Sequence, residues 1–224
     1  MCTSCTEAKA TCKAKDFIRP SAATFMELYG RGAIVRQANV TRRDLNVFGL
    51  GALDLRTAKP DGSAWDFARR ADRKMAMELI DKERPDFVIG SPPCTALCAW
   101  NRHMNFKKMN QAQVDKMIAD GMVHLEFMAK LYEVQLLAGR HFVHEHPWSA
   151  RSWALPCMEE LKKDDRVHLA YANMCRFGMT THVKEKHGPR GAVAKPTGFL
   201  TSRWIIATEL GTKCKGGHVH APPV

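Results

Sequence analysis

The segment Asp86-Phe87-Val88-Ile89-Gly90-Ser91-Pro92-Pro93-Cys94 constrains this chain more than any other. Phe87, Val88 and Ile89 are a short apolar run of strand-forming residues. Two successive prolines then fix the backbone and remove two amide donors, so the strand has to stop. Cys94 comes just beyond the carboxyl end of that strand, where open α/β sheets put their chemistry. A thiol there is a nucleophile when its surroundings favour the thiolate, and otherwise a small buried residue after a turn.

The rest of the chain alternates in the way such a strand requires. Thr24 to Tyr29 reads as a first strand, followed by Gly30-Arg31-Gly32 and a helix opening at Ala33. Ala52 to Leu55 reads as a second short strand ending near Asp54, and Lys59-Pro60-Asp61-Gly62 as a turn. A helix is expected over Arg73–Glu83. A long one is expected over 111–138, where Val114, Met117, Ile118, Leu125, Met128 and Leu131 recur at helical spacing and Gly121 is a place to interrupt or kink. Arg140 to Pro147 reads as a strand ending on a polar cluster. A helix near Pro156–Lys162, a strand near Val167–Ala172 and a last strand from Phe199 to Ile206 complete the alternation. The expectation is an α/β domain with a mostly parallel sheet covered on both faces. Its division is a cysteine-containing arm at 1–22, one domain at 23–208 and a Cys/His-containing tail at 209–224.

The chain of 224 residues is 45% apolar, as a globular domain is, and contains no uninterrupted apolar stretch of membrane-spanning length. The amino terminus has no hydrophobic secretory core, so an intracellular location, in cytoplasm or with the nucleic acid, is expected. The formal net charge of +11 points to a polyanionic partner, nucleic acid first. The basic residues are dispersed, which suits a folded basic face better than a disordered arm. Eight cysteines in an intracellular chain of this length point to thiol chemistry or metal binding rather than a disulfide framework.

The order of motifs resembles the catalytic domain of DNA cytosine-5 methyltransferases. Pro92-Pro93-Cys94 is similar to that family's Pro-Pro-Cys turn, Glu145 in His144-Glu145-His146-Pro147 to the acid of its next strand, and Cys175-Arg176-Phe177-Gly178 to its aromatic-Gly turn. The resemblance covers roughly residues 24 to 206 and implies a Rossmann-like, S-adenosylmethionine-dependent methyltransferase fold. It implies Cys94 as the nucleophile at cytosine position 6 and Glu145 as the acid at the ring edge. Around the cofactor it implies Glu27, Gly30 and Gly32 in the first-strand turn, Asp54 at the ribose hydroxyls, Asp66 at the adenine, and Pro92. Lys195 and Thr197, in Lys195-Pro196-Thr197-Gly198-Phe199, stand where the family has a Gln-Arg-x-Arg element, and are expected to meet the base or its phosphate. Glu-His replaces the family's Glu-Asn pair, and the short stretch from Gly178 to the Phe199 strand leaves no room for a large target-recognition domain. Sequence selectivity is then low, absent or supplied by a protein partner. The expected substrate is nucleic acid, DNA before RNA, with the target base taken out of any duplex stack.

Two other readings stay open: a methyltransferase-like nucleic-acid-binding protein without catalysis, and a methyltransferase for another substrate with Cys94 only structural. A zinc site is a further expectation. Cys214, His218 and His220 are soft and imidazole ligands at close spacing, and Cys2-x-x-Cys5 with Cys12 is a second half-site, although neither is a full four-ligand pattern. On an ideal strand His144 and His146 share one face and His141 and Glu145 the other, which favours a polar pocket rim over a metal centre there.

Overall fold

In the computed structural model, which describes residues 22–182 and 190–221, the apolar run Phe87–Gly90 is an inner strand of a six-stranded sheet. Its strands are β1 (Ala23–Leu28), β2 (Val47–Leu53), β3 (Phe87–Gly90), β4 (His141–Pro147) and β5 (His168–Asn173). A small hairpin of β6 (Thr180–His182) and β7 (Arg190–Ala192) precedes the sixth, β8 (Pro196–Thr201). The order is β2-β1-β3-β4-β8-β5. β1 is parallel to β2 and β3, and β3 to β4, whereas β8 runs antiparallel between β4 and β5. The expected mostly parallel sheet is present, and its topology is compatible with a Rossmann-like fold.

Helices cover both faces. α2 (Arg70–Glu83), α4 (Gln111–Leu137) and α5 (Pro156–Lys162) lie over Met26, Leu28, Val88, Phe142 and Leu200. Each large apolar side chain fully buried there stabilises the fold by about 1.5–3 kcal/mol. On the opposite face α6 (Trp204–Leu210) packs Ile206, Ala207 and Leu210 on Val143, Ala170, Ala172 and Phe199. α1 (Ala33–Leu45) flanks it, with Ile34 over Phe25. A sixth helix, α3 (Ala99–Met104), follows the Pro-Pro-Cys turn. No helix among the described residues is long and apolar enough to cross a membrane.

Three expectations are corrected. The last strand ends at Thr201, and Trp204-Ile205-Ile206 belongs to α6. Those residues favour strands intrinsically, but Ile206 and Leu210, one helical turn apart, both reach the sheet, and that packing overrides propensity. The second strand begins at Val47 rather than Ala52, and Gly49 within it admits α1 closely: a Cβ there would run into the Val35 carbonyl oxygen. Gly121 does not interrupt α4, which runs unbroken from a capping box formed by Asn110 and Gln113. The amino-terminal arm with Cys2, Cys5 and Cys12 lies outside the described residues.

Candidate functional site

Parallel strands bring their carboxyl ends to one edge of the sheet, and the antiparallel β8 brings its amino end to the same edge. This collects Tyr29–Gly32, Asp54, Ser91–Cys94, Glu145, Cys175 and Lys195 along one rim. Strand order reverses between β1 and β3, so the loops leaving these two strands diverge and open a crevice, the usual ligand position in such sheets.

The Pro-Pro-Cys turn is tied down at several points. Ser91 N donates to the Leu28 carbonyl at 3.2 Å, tying the turn to β1. The amides of Leu97 and Cys98 donate to the Cys94 carbonyl at 2.9 and 2.8 Å, coiling the chain toward α3. The Asn101 side chain donates to the Thr95 carbonyl, and Arg151 N to that of Leu97. Ala96 packs on Gly121 of α4, where a Cβ would sit 2.5 Å from the Ala96 Cβ. Pro92 is buried and Cys94 half-buried. Burial pushes the Cys94 thiol up from its ordinary range. The neighbouring Cys98 and Glu145 push it the same way, and the Lys195 ammonium pulls it down.

Glu145 sits near the end of β4, on the face opposite His144 and His146, and its Oε1 accepts from Lys195 Nζ at 3.2 Å. The Glu145–Lys195 ion pair and the Cys94 turn therefore lie at the same edge, beyond the neighbouring strands β4 and β3, and both charges of the pair act on the thiol. Thr197 is fully buried behind them, and its hydroxyl donates to the Lys195 carbonyl. Beside Lys195 and Glu145 a cavity of about 600 Å³ runs down the sheet between α1 and α6, mostly apolar and lined by Phe25, Ile34, Ile89, Val143 and Ile206.

His144 and His146 are not a pocket rim. Both are buried with Tyr132 and Trp153 under α4. His144 Nδ1 shares a 3.0 Å hydrogen bond with the Tyr132 hydroxyl, and His146 Nδ1 one of 2.6 Å with Ser152. Neither Nε2 finds a partner of hydrogen-bonding geometry among the described residues. Burial, with the Lys195 charge second, pushes His146 down to about 4, although the nearby carbonyls of Pro92 and Pro93 favour its charged form. Burial also pushes His144 well down, so both rings are neutral at pH 7.

The predicted cofactor residues divide. Asp54 and Asp66 line a cavity of about 190 Å³ with Tyr29, Trp65, Phe67, Pro93 and His124, in the crevice at the order reversal. The loop between them is braced by a buried ion pair: Lys59 Nζ lies 2.9 and 3.0 Å from the two carboxylate oxygens of Asp72, and Asp66 N donates to the same carboxylate at 2.7 Å. Glu27 is buried outside that cavity. Its Oε2 accepts from Ile34 N at 3.1 Å, and its Oε1 occupies the space where a Cβ on Gly30 would be. Gly32 has φ +76° at the amino end of α1, with Ala52 too close for an easy side chain.

At the far end of the rim the tail brings Cys214, His218 and His220 together, as the spacing suggested. The structure adds Cys175, so that the four ligand atoms lie within 4.8 Å of one another. Cys175 was legible only as part of the aromatic-Gly turn, and its distance in sequence from the tail hid it. His124 carried no motif, Lys59 read only as the start of a turn and Tyr29 only as the end of a strand; the fold gives all three their places here.

Protein-family models and curated protein sequences were both searched, and neither gives a match to this chain.

Proposed function

We propose that this chain is an S-adenosylmethionine-dependent methyltransferase acting at C5 of cytosine in nucleic acid, DNA before RNA, through a covalent adduct to Cys94. One observation carries the reading: the Cys94 turn and the Glu145–Lys195 ion pair share the edge beyond the adjacent strands β3 and β4, beside the crevice at the order reversal. Position 6 of cytosine is a weak electrophile. Attack by the Cys94 thiolate forms an S–C6 bond, moves the ring electrons toward C5 and makes C5 nucleophilic. In this reading Glu145 lies at the ring edge in its protonated form, gives its proton to N3 as the adduct forms and takes it back when Cys94 leaves. Lys195 favours the Cys94 thiolate and can hold a phosphate or the base. S-adenosylmethionine, when bound, supplies the methyl group. Removal of the C5 proton by a base then expels Cys94 as a thiolate.

The residues present fit one end of that cofactor. The 190 Å³ cavity is smaller than the ~300 Å³ at which pockets for drug-sized ligands begin, so it suits a nucleoside end rather than the whole molecule. Its aromatic walls offer a purine a stacking surface, with Asp54 and Asp66 for ribose hydroxyls and adenine. A nucleic-acid partner is supported by α3 and the turn after it. Trp100 is 60% exposed there among Arg102, Lys107 and Lys108, close in sequence to Cys94, and an exposed aromatic among cations suits unstacked bases.

The test is calorimetric titration with S-adenosylmethionine and S-adenosylhomocysteine, followed by trapping on a 5-fluorocytosine oligonucleotide. The reading requires cofactor binding and a denaturation-stable adduct that disappears in Cys94→Ser, with cofactor binding retained. The absence of both by folded protein overturns it.

A second reading, a nucleic-acid-binding protein of the same fold without catalysis, is favoured by Glu27. Its carboxylate fills the space above Gly30 through which a cofactor would approach the backbone. That reading predicts nucleic-acid binding unchanged by Cys94→Ala and no cofactor heat.

A further inference from the structure

We infer that Cys175, Cys214, His218 and His220 form a structural zinc site that clamps the carboxy-terminal tail onto the rim of the sheet. Tetrahedral zinc holds sulfur at about 2.3 Å and nitrogen at about 2.0–2.1 Å, which puts its ligands roughly 3.3–3.7 Å apart. Cys214 Sγ lies 3.6 Å from His218 Nε2 and 3.5 Å from His220 Nε2. The two Nε2 atoms are 2.9 Å apart, slightly inside that spacing, with the rings edge to face. Cys175 Sγ completes the group, all four atoms lying within 4.8 Å of one another.

The backbone is shaped for the same purpose. Gly216 and Gly217 have φ of +78° and +81°, a conformation that costs other residues strain and that folds the chain back from Cys214 to His218. Gly216 N lies 3.4 Å from Cys214 Sγ and donates to it, the bond a thiolate ligand accepts. Cys214 N donates to Asn173 Oδ1 at 2.9 Å, and Ala221 N to the Ala192 carbonyl at 2.8 Å, so both ends of the ligand run are pinned to the body of the fold.

The ligand is a divalent, borderline-soft cation. Binding it releases the two thiol protons, and two thiolates with two neutral imidazoles leave the site uncharged. With four protein ligands no position stays open for a substrate, so the role is structural rather than catalytic. The consequence for the rim is direct. Met174 N, next to Cys175, donates to the Lys195 carbonyl at 3.1 Å, and the Asn173 side chain holds both Cys214 and the Ala194 carbonyl. The clamp therefore braces the loop that carries Lys195. This inference is independent of methyl transfer.

Elemental analysis of the full-length protein should find about one zinc per chain. Cobalt substituted for it should give the intense ligand-field bands of a tetrahedral site and a sulfur-to-cobalt charge-transfer band. Cys175→Ser and His220→Ala should each lose the metal. The combined Cys2→Ser, Cys5→Ser, Cys12→Ser variant and Cys157→Ser should keep it. His220→Cys preserves four ligands, so it should hold cobalt and strengthen the charge-transfer band by about one half, from two thiolates to three. That measurement still decides if the loss variants fail to fold. Failure of the wild type to bind zinc or tetrahedral cobalt would overturn the inference. So would metal that survives Cys175→Ser and His220→Ala but is lost with the amino-terminal cysteines.

Discussion

At the scale of single residues, the chemistry proposed here depends on what surrounds one thiol. Cys94 starts from an unfavourable position: burial and the adjacent Cys98 and Glu145 hold its proton on, and Lys195 is the one charge that works against them, helped by a backbone amide. The signs can be separated by alkylation followed residue by residue with mass spectrometry across a pH series. The midpoint for wild-type Cys94 should lie above the ordinary free-thiol value of about 8.5. Lys195→Met should raise it further, since it removes the one favourable charge, whereas Glu145→Gln and Cys98→Ser should each lower it. An unchanged midpoint in Lys195→Met would separate that lysine from the thiol. The positions of Cys94 and Glu145 were legible in the sequence because Cys94 follows an apolar run stopped by two prolines and Glu145 falls in the polar cluster that ends the next strand, from which the family resemblance singled it out. Their electrostatic coupling to Lys195 was not, because it joins two strands far apart in sequence and is created by the antiparallel insertion of β8.

At the scale of elements, helices and loops are tuned to hold the rim, and two substitutions test this. Replacing glycine by alanine inside a helix ordinarily gains about 1 kcal/mol. At Gly121 the sign should reverse, because the new Cβ meets the Ala96 Cβ at 2.5 Å and the Pro-Pro-Cys turn has no slack. Gly121→Ala should cost roughly 1–3 kcal/mol in denaturant unfolding, the usual cost of overpacking, and alter Cys94 alkylation. Adding Ala96→Gly should restore both, and a Gly121→Ala protein as stable as wild type would show that the turn yields. The loop carrying Asp54 and Asp66 depends on the ion pair between Lys59 and Asp72, whose side chains are only 6% and 5% exposed. Lys59→Met strands a buried carboxylate and should cost about 3–5 kcal/mol. Lys59→Met with Asp72→Leu should recover a large part of that loss. In the sequence Gly121 read as a weak point of a helix and Lys59 as the start of a turn. Both roles are set by contacts across the fold, which local pattern does not carry.

At the scale of the whole molecule, the alternation of strands and helices was enough to anticipate a mostly parallel sheet. The alternation also placed Cys94 and Glu145 at its carboxyl edge, because strand direction alone decides which loops share an edge. It could not anticipate α6, whose residues are strand formers held helical by packing, nor the antiparallel β8 between β4 and β5. Nor did it place His144 and His146 in the core, and that burial gives the whole fold a pH dependence. Both imidazoles are held neutral by burial, with folded-state values depressed to about 4 for His146 and well below the ordinary value for His144. Above pH ~6.5 folded and unfolded states are alike in these groups and stability is fully present. As the pH falls below that value the unfolded chain takes up protons that the folded chain refuses. Stability should then fall by up to about 1.4 kcal/mol per pH unit for each histidine, down to pH ~4 for His146. His124 and His141, also depressed chiefly by burial, act with the same sign. Asp72, held below the usual carboxylate range, chiefly by the amide of Asp66 and the ammonium of Lys59, withdraws its contribution only as the pH approaches ~4, so it leaves the upper part of this window clear. Urea unfolding at a series of pH values would show the slope. His146→Gln, which keeps a polar partner for Ser152, should flatten it by up to about 1.4 kcal/mol per unit between pH ~6.5 and ~4. Parallel curves for the two proteins would mean that His146 takes up its proton within the fold as readily as in the unfolded chain, with the carbonyls of Pro92 and Pro93 favouring the charged ring.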